Sequence, residues 1–216
     1  MPKRNIHLTK VKKEGKQRKE RLVERIQESL NNYKYLYVLS HENMTTNPFN
    51  KIRKDFLESK FFLGKNKVMQ FALGRTPEEE FKTNLCGVAK YINKECCLLL
   101  TNDDNASEYF ENFSKKDYAK AGTIAPKTIT LEEGPETLKS FSFAIEPHMR
   151  KLGLVTKLVR SKIILCKDTI IAKEGQPITA ENAKILKLLG YKLAEFKLRV
   201  LARWNSETSE IESFDD

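Results

Sequence analysis

Apolar positions along this chain alternate between helical and strand spacing. From about Gln17, Leu22, Ile26, Leu30 and Tyr33 recur at three- and four-residue steps, with Glu24, Glu28 and basic residues opposite. This predicts an amphipathic helix. The run YLYVLS at 35–40 predicts a strand. Asn47 and Pro48 suit the cap and first turn of a second helix, with Phe49, Ile52 and Phe56 as its buried stripe. A strand at 60–63 then runs into Gly64, which permits a sharp turn. A short apolar helix follows, capped by Asn66 and ending before Gly74. Thr76, Pro77 and Glu79 form a helix-start signature. That helix is expected to reach about Tyr91, with Phe81, Leu85, Val88 and Ile92 inside. A strand at 96–101 (CCLLLT) comes next, and Asp103 and Asp104 start a short helix toward Phe113.

Near Tyr118 the pattern changes. Four of the seven prolines (Pro126, Pro135, Pro147 and Pro177) fall within 122–178. Short extended runs replace helices at 123–126, 128–131, 162–166 and 169–172, the last two around a Lys167-Asp168 turn. Only 147–152 reads as helical, with Pro at its first turn. The first pattern then returns. Thr179 caps a helix that Gly190 stops. In the strand beyond it, Phe196, Leu198, Val200, Ala202 and Trp204 alternate with Lys197, Arg199, Leu201 and Arg203. One face of that strand is apolar. The other is mostly cationic and meets either solvent or a phosphate backbone. The prediction is an α+β protein. A basic arm at 1–16 precedes a plait-like α/β domain at 17–117 and 179–204. A small β-rich insertion at 118–178 interrupts that domain, and an acidic tail at 205–216 follows it. Insertions are tolerated where chain ends lie close together.

Charge narrows the partners. The formal net charge is +10, which favours polyanions, nucleic acid before acidic membrane. Residues 1–21 carry nine Lys/Arg against Glu14 and Glu20, and the last twelve residues carry five acidic groups and no base. A basic arm on a basic body fits a nucleic-acid binder. The arm lacks apolar periodicity and is expected to order only on its partner, with Lys10, Lys12 and Lys13 among its contacts. It also suits nuclear import. No signal-peptide stretch or membrane-spanning run is visible. Cys86, Cys96, Cys97 and Cys166 form no CxxC pair and have no His at ligand spacing. Cys96 and Cys97 read as small buried residues, and reduced thiols are expected.

The segment FFLGKNKVMQFALG at 61–74 carries the most chemistry. A helix start beside Lys65 and Lys67 offers free N–H groups and positive charge, a place for a phosphate. A plain strand–turn–helix with solvated lysines is the alternative. A phosphate loop of the nucleotide-binding kind needs a second glycine, and only Gly64 is present. No nucleophile elbow, HExxH motif or dinucleotide loop occurs. Asp103 and Asp104 sit between Asn102 and Asn105 and read as a turn and cap rather than metal carboxylates. Neither an enzyme nor a cofactor is expected.

The order of IRKDF, LGKNK, TPEEEF, CCLLLTN, AGTIAP, LGLVTKLVRSKI and ILKLLGYKLAEFKLRV resembles the ribosomal stalk-base protein family, over about 17–204. Within it, FSFAIEPHMRKLGL resembles the nuclear assembly-factor branch. The chain also ends about a dozen residues after Trp204. The mature stalk-base protein continues there into helices that recruit acidic stalk dimers. The resemblance implies binding to large-subunit rRNA at the stalk base, with contacts at Arg53, Lys65, Asn66 and Lys67. It implies a placeholder on the nucleolar and nuclear precursor that shuttles to the cytoplasm, beside neighbouring ribosomal proteins, with no membrane, and monomeric outside the particle. Two alternatives stay open: a structural subunit of mature ribosomes, and an RNA-binding protein of mRNA turnover.

Overall fold

The computed structural model describes residues 15–214. Its elements are α1 (Gly15–Asn32), β1 (Tyr35–Glu42), α2 (Thr46–Asp55), β2 (Lys60–Phe62), α3 (Asn66–Leu73), α4 (Leu85–Ala89), β3 (Cys96–Thr101) and α5 (Ala106–Asn112). There follow β4 (Ser114–Asp117), β5 (Ile129–Leu131), α6 (Glu146–Lys151), β6 (Thr156–Val159), β7 (Lys162–Leu165) and β8 (Thr169–Ala172). The chain closes with α7 (Ala180–Leu188), β9 (Ala194–Asn205) and β10 (Ile211–Ser213). The mixed α+β class expected from the sequence is the one observed.

Two compact units divide the chain. The first runs to His41, takes Asn50–Asn112, and resumes at Leu198. Its strands lie in the order β10-β9-β1-β3-β2. Leu36 pairs with Leu100 and Val38 with Leu98 between antiparallel β1 and β3. These two strands are apolar without alternation because the sheet is covered on both faces. Against one face, Ile26 and Leu30 of α1, Met69 and Leu73 of α3, and Leu85 and Val88 of α4 share a core with Phe62, Leu98 and Trp204. On the other face the Phe56 ring stacks on Phe110, 5.4 Å between centroids, and meets Phe61 edge-on.

The helix expected from Thr76 to Tyr91 does not form; only Leu85–Ala89 is helical. Gly74 has φ +103, and the chain folds back so that Phe81 N–H bonds to the Leu73 carbonyl. Asn84 is left-handed at φ 67, which breaks any helix running through it. Side chains then tie the loop down. Lys82 Nζ donates to the Leu30 carbonyl at the end of α1, 2.6 Å, and Trp204 Nε1 donates to Thr83 O, 3.2 Å. Phe81, expected inside, is exposed. The second helix also begins earlier than expected, at Thr46, so Asn47 lies inside α2 and does not cap it. The segment read as an acidic tail contains β10, which pairs with β9.

The second unit takes Glu42–Phe49 and Phe113–Lys197. β4 runs antiparallel to the first residues of β9, and β5 pairs with β8 and β6 with β7. The runs flanking Lys167-Asp168 therefore pair with other strands and not with each other. Ala183, Ile185 and Leu186 of α7 share a core with Leu138, Met149, Leu154 and Ile163. By packing, the chain returns to the first unit inside β9, later than residue 179. Thr179 caps α7 as expected, its hydroxyl accepting from Asn182 N–H at 3.3 Å.

The EPHMR segment is built around a buried carboxylate. Glu146 accepts from Thr156 Oγ1 at 2.8 Å and from Arg150 Nη2 at 2.6 Å, one helical turn on. The Thr156 hydrogen bond outweighs burial and, with Arg150, holds the Glu146 carboxyl below its ordinary 4.5. A depressed carboxyl stabilises the fold above the unfolded-state value, and the contribution is lost as pH falls through the folded value.

Three outcomes follow. Melting temperatures of wild type and Glu146→Gln will differ at about pH 7, and the gap will narrow by about pH 3; a constant gap would show that the ionised carboxylate is not the source. Gly74→Ala will destabilise by more than about 1–3 kcal/mol in urea unfolding, since positive φ alone carries that cost. Its Cβ would also lie 2.3 Å from Glu80 Cα, a backbone atom. Phe196→Ala and Val200→Ala will cost about 3–5 and about 1–3 kcal/mol in the same assay, because both side chains are buried.

Candidate nucleic-acid interface

β2 is an edge strand, and the turn after it leads directly into α3. Lys65 occupies the cap position in an extended conformation, φ −72 and ψ 131, with no side-chain cap. Its carbonyl accepts from Val68 N–H at 2.8 Å and Met69 N–H at 3.1 Å. The N–H groups of the first helical residues precede this ladder and carry the positive end of the helix dipole. Lys65 and Lys67 are both exposed beside them.

Asn66 does something different from capping. It is the first helical residue, and its Nδ2 donates to the Lys94 carbonyl at 2.7 Å. Lys94 is left-handed at φ 52, where the chain turns toward β3. The bridge fastens the start of α3 to this turn and brings Lys94, which is exposed, to the same place. Nothing in the local pattern marks Lys94; only the fold makes it a neighbour of the GKNK turn. Gly64 also differs from expectation. It has no positive φ; a Cβ there would lie 2.5 Å from Leu22 Cδ2 of α1. The fold packs the Leu22 side chain closely against it.

Arg53 is exposed in the last turn of α2. Phe61 and Phe62 point to opposite faces of β2. Phe62 belongs to the core shared with α1 and α3, and Phe61 meets Phe56, just past α2. α2 and α3 thus cover opposite faces, and the structure does not gather Arg53 with Lys65 and Lys67. They flank the same edge strand. Lys10, Lys12 and Lys13 lie outside the described residues.

A groove of about 450 Å³ runs between α1 and α3. Val23, Val68 and Phe71 form its apolar lining, and Lys16, Lys19, Lys67 and Arg75 its cationic rim, with Glu20 and Glu24. Arg75 Nη2 donates to the Lys67 carbonyl at 3.0 Å, which holds the guanidinium beside the first turn of α3.

The cationic face of β9 is partly committed within the fold. Arg203 pairs with Asp104 and, at 3.8 Å, with Glu212, and its guanidinium lies 4.4 Å from the Tyr35 ring centroid. Burial opposes its charge, but Tyr37, Glu212 and Asp104 outweigh burial and raise its pKa. Lys197 pairs with Glu195 at 3.1 Å. Asp103 accepts from Asn105 N–H at 3.0 Å, and the Tyr37 hydroxyl donates to Asp104 O at 3.1 Å. Burial is the main cause that pushes the Tyr37 phenol up to about 12. Among the described residues no group of three or more His, Cys, Asp or Glu side chains is placed to hold a metal ion. No helix among them is long and apolar enough to cross a membrane.

Comparison with known proteins gives a consistent answer for both units. Residues 14–115 match the family model "Ribosomal protein L10", and residues 119–190 match the model of the insertion domain in the 60S ribosomal protein of that family. The ribosome assembly factor mrt4 of Dictyostelium discoideum is 35% identical, over 95% of this chain and 93% of its own length. The ribosome assembly factor MRT4 of Saccharomyces cerevisiae is 33% identical, over 96% of this chain and 94% of its own. The large ribosomal subunit protein uL10 of Thermococcus sibiricus is 26% identical over 86% of this chain, which spans 55% of that protein. The chain belongs to the ribosomal protein L10 family, in the group that holds the mrt4 relatives.

Proposed function

We propose that this protein is a ribosome biogenesis factor that binds the stalk-base rRNA of the large-subunit precursor. There it holds the place later taken by the mature stalk-base protein. The observation that carries the reading is the extent of likeness to the two assembly factors, which takes in both units and nearly the whole length of either chain. The geometry adds a physical means. Lys65, Lys67 and Lys94 stand at one corner of the first unit, where α3 opens and Asn66 bonds to the Lys94 carbonyl. Such a corner suits phosphates whose positions folded RNA fixes; folded RNA is read mainly by shape, backbone and unstacked bases. Asn66 acts there as a brace between the α3 start and the Lys94 turn. Arg53, across the edge strand, would meet a different stretch of backbone, and Lys10, Lys12 and Lys13 would add long-range attraction. Residence in the nucleolus and nucleus follows from the precursor as the partner, and the free protein is proposed to be a monomer.

A second reading, a structural subunit of mature ribosomes, draws on the likeness to uL10. Sedimentation separates the two. The tagged chain will travel with nuclear large-subunit precursors and be absent from polysomes; persistence in polysomes would favour the structural subunit. Placeholder action also requires competition, so the mature stalk-base protein will displace this chain from one rRNA fragment. Simultaneous binding of both would sink that part of the model.

The double variant Lys65→Ala, Lys67→Ala will bind the rRNA fragment more weakly. Its slope of log K against log salt will fall by roughly 0.7 for each lost single-strand phosphate contact. Its melting temperature will stay near wild type, since both side chains are exposed. Unchanged affinity would remove the turn from the interface.

A further inference from the structure

The groove between α1 and α3 has an anomaly at its centre. Phe71 lies mid-way along α3, near fully buried Met69, Ala72 and Leu73, yet the residue is 58% exposed. Helical spacing explains how this occurs: Val68 and Phe71 share a face one turn apart, and that face looks into the groove rather than the core. An exposed aromatic residue beside half-buried Val68, on a helix whose Met69, Ala72 and Leu73 are buried, offers a contact surface for a flat apolar partner.

Charge decides which partner. Four cations, Lys16, Lys19, Lys67 and Arg75, surround the ring against Glu20 and Glu24. Lys16 and Glu20 already approach each other at 3.7 Å, so the remaining excess is positive. Residues 1–14 carry five Lys/Arg and one Glu, the same sign as the rim, and are poor occupants for it. An unpaired nucleobase joins both requirements, a π-face for the ring and phosphates on either side for the rim. Lys67 links the groove to the α3 start, since it belongs to both.

We propose that Phe71 stacks on an unpaired base of the bound rRNA in the α1–α3 groove, with Lys16, Lys19, Lys67 and Arg75 taking the flanking phosphates. The proposal rests on the RNA-binding reading above and deepens it. The phosphates there carry affinity and salt dependence. The stacked base carries a term that salt does not screen, and it selects RNA that offers a splayed base at this distance from the GKNK turn.

Two measurements test it on the full chain with a stalk-base rRNA fragment. In Phe71→Trp, the new indole is exposed while Trp204, the one native tryptophan, is buried. Its emission will be quenched as RNA saturates the protein. In the affinity series, Phe71→Ala and Phe71→Leu will bind about tenfold or more weakly with an unchanged salt slope, and Phe71→Tyr will bind as wild type. Wild-type affinity of Phe71→Ala together with unquenched emission overturns the stacked base, while the result for Lys65 and Lys67 stands separately. Quenching by large-subunit ribosomal proteins but not by RNA assigns the groove to a protein and overturns it too. No binding of the fragment by wild type overturns the RNA-binding reading itself.

Discussion

Leu22 reaches so close to the β2–α3 turn that a Cβ on residue 64 would lie 2.5 Å from its Cδ2. That approach packs α1 against the turn from which the basic corner is built. With glycine at 64, α1 lies down against the turn and α3, and Ile26, Leu30, Met69 and Leu73 close one core beneath them. A Cβ at 64 would have to displace the Leu22 methyl, the far end of a flexible side chain. The contact of α1 with α3 in this core places Lys16 and Lys19 across the groove from Lys67. A similar close fit occurs at Gly87, where a Cβ would lie 2.6 Å from Ile211 Cδ1 of β10.

A strongly basic composition does not by itself say which cations are offered to a partner. The structure sorts them. Arg203 is held by Asp104, Glu212 and the Tyr35 ring, and Lys82 closes the end of α1 and lies over Trp204. Lys34 pairs with Glu207 at 2.9 Å. These charges are engaged within the first unit, and two of their carboxylates come from the segment that reads as an acidic tail. Acidic residues after Trp204 therefore serve partly as counter-ions for the body. Lys65, Lys67 and Lys94 are exposed at the corner, where a polyanion gains most from neutralising them.

Much of the architecture was legible because periodicity is a direct record of burial. α1, β1, β3, α7 and β9 fall where their spacing puts them, and β9 keeps perfect alternation over twelve residues. The failures share one cause. The Thr76 start signature is sound locally, yet Gly74, Asn84 and the long-range bonds of Lys82 and Trp204 impose another path. Strand partners in the second unit depend on contacts far apart in sequence, so flanking runs looked like a hairpin. The GKNK turn was visible as a motif. Its brace to Lys94 was not, since residues 66 and 94 meet only through folding, and neither was the exposure of Phe71 on an apolar helix. Sequence likewise carries no record of which sheet face a helix covers, so the separation of Arg53 from the GKNK turn was not legible.

The two levels of the proposed interface have different physical consequences. Cations on flexible stems attract any phosphate chain and confer little choice among RNAs. Choice among RNAs would come from spacing that the fold sets, the Asn66 bridge to Lys94 and the Phe71 face of α3. The proposed contacts require phosphates and a splayed base at set separations, which folded RNA can satisfy and most single strands cannot. Affinity built largely on phosphates also falls steeply with competing charge. The proposed exchange is served by such an interface, because a competitor using the same phosphates removes much of the hold at once. The second unit has its own core and its own buried Glu146 carboxylate, held by Arg150 and Thr156, so its packing does not draw on the residues of the proposed interface.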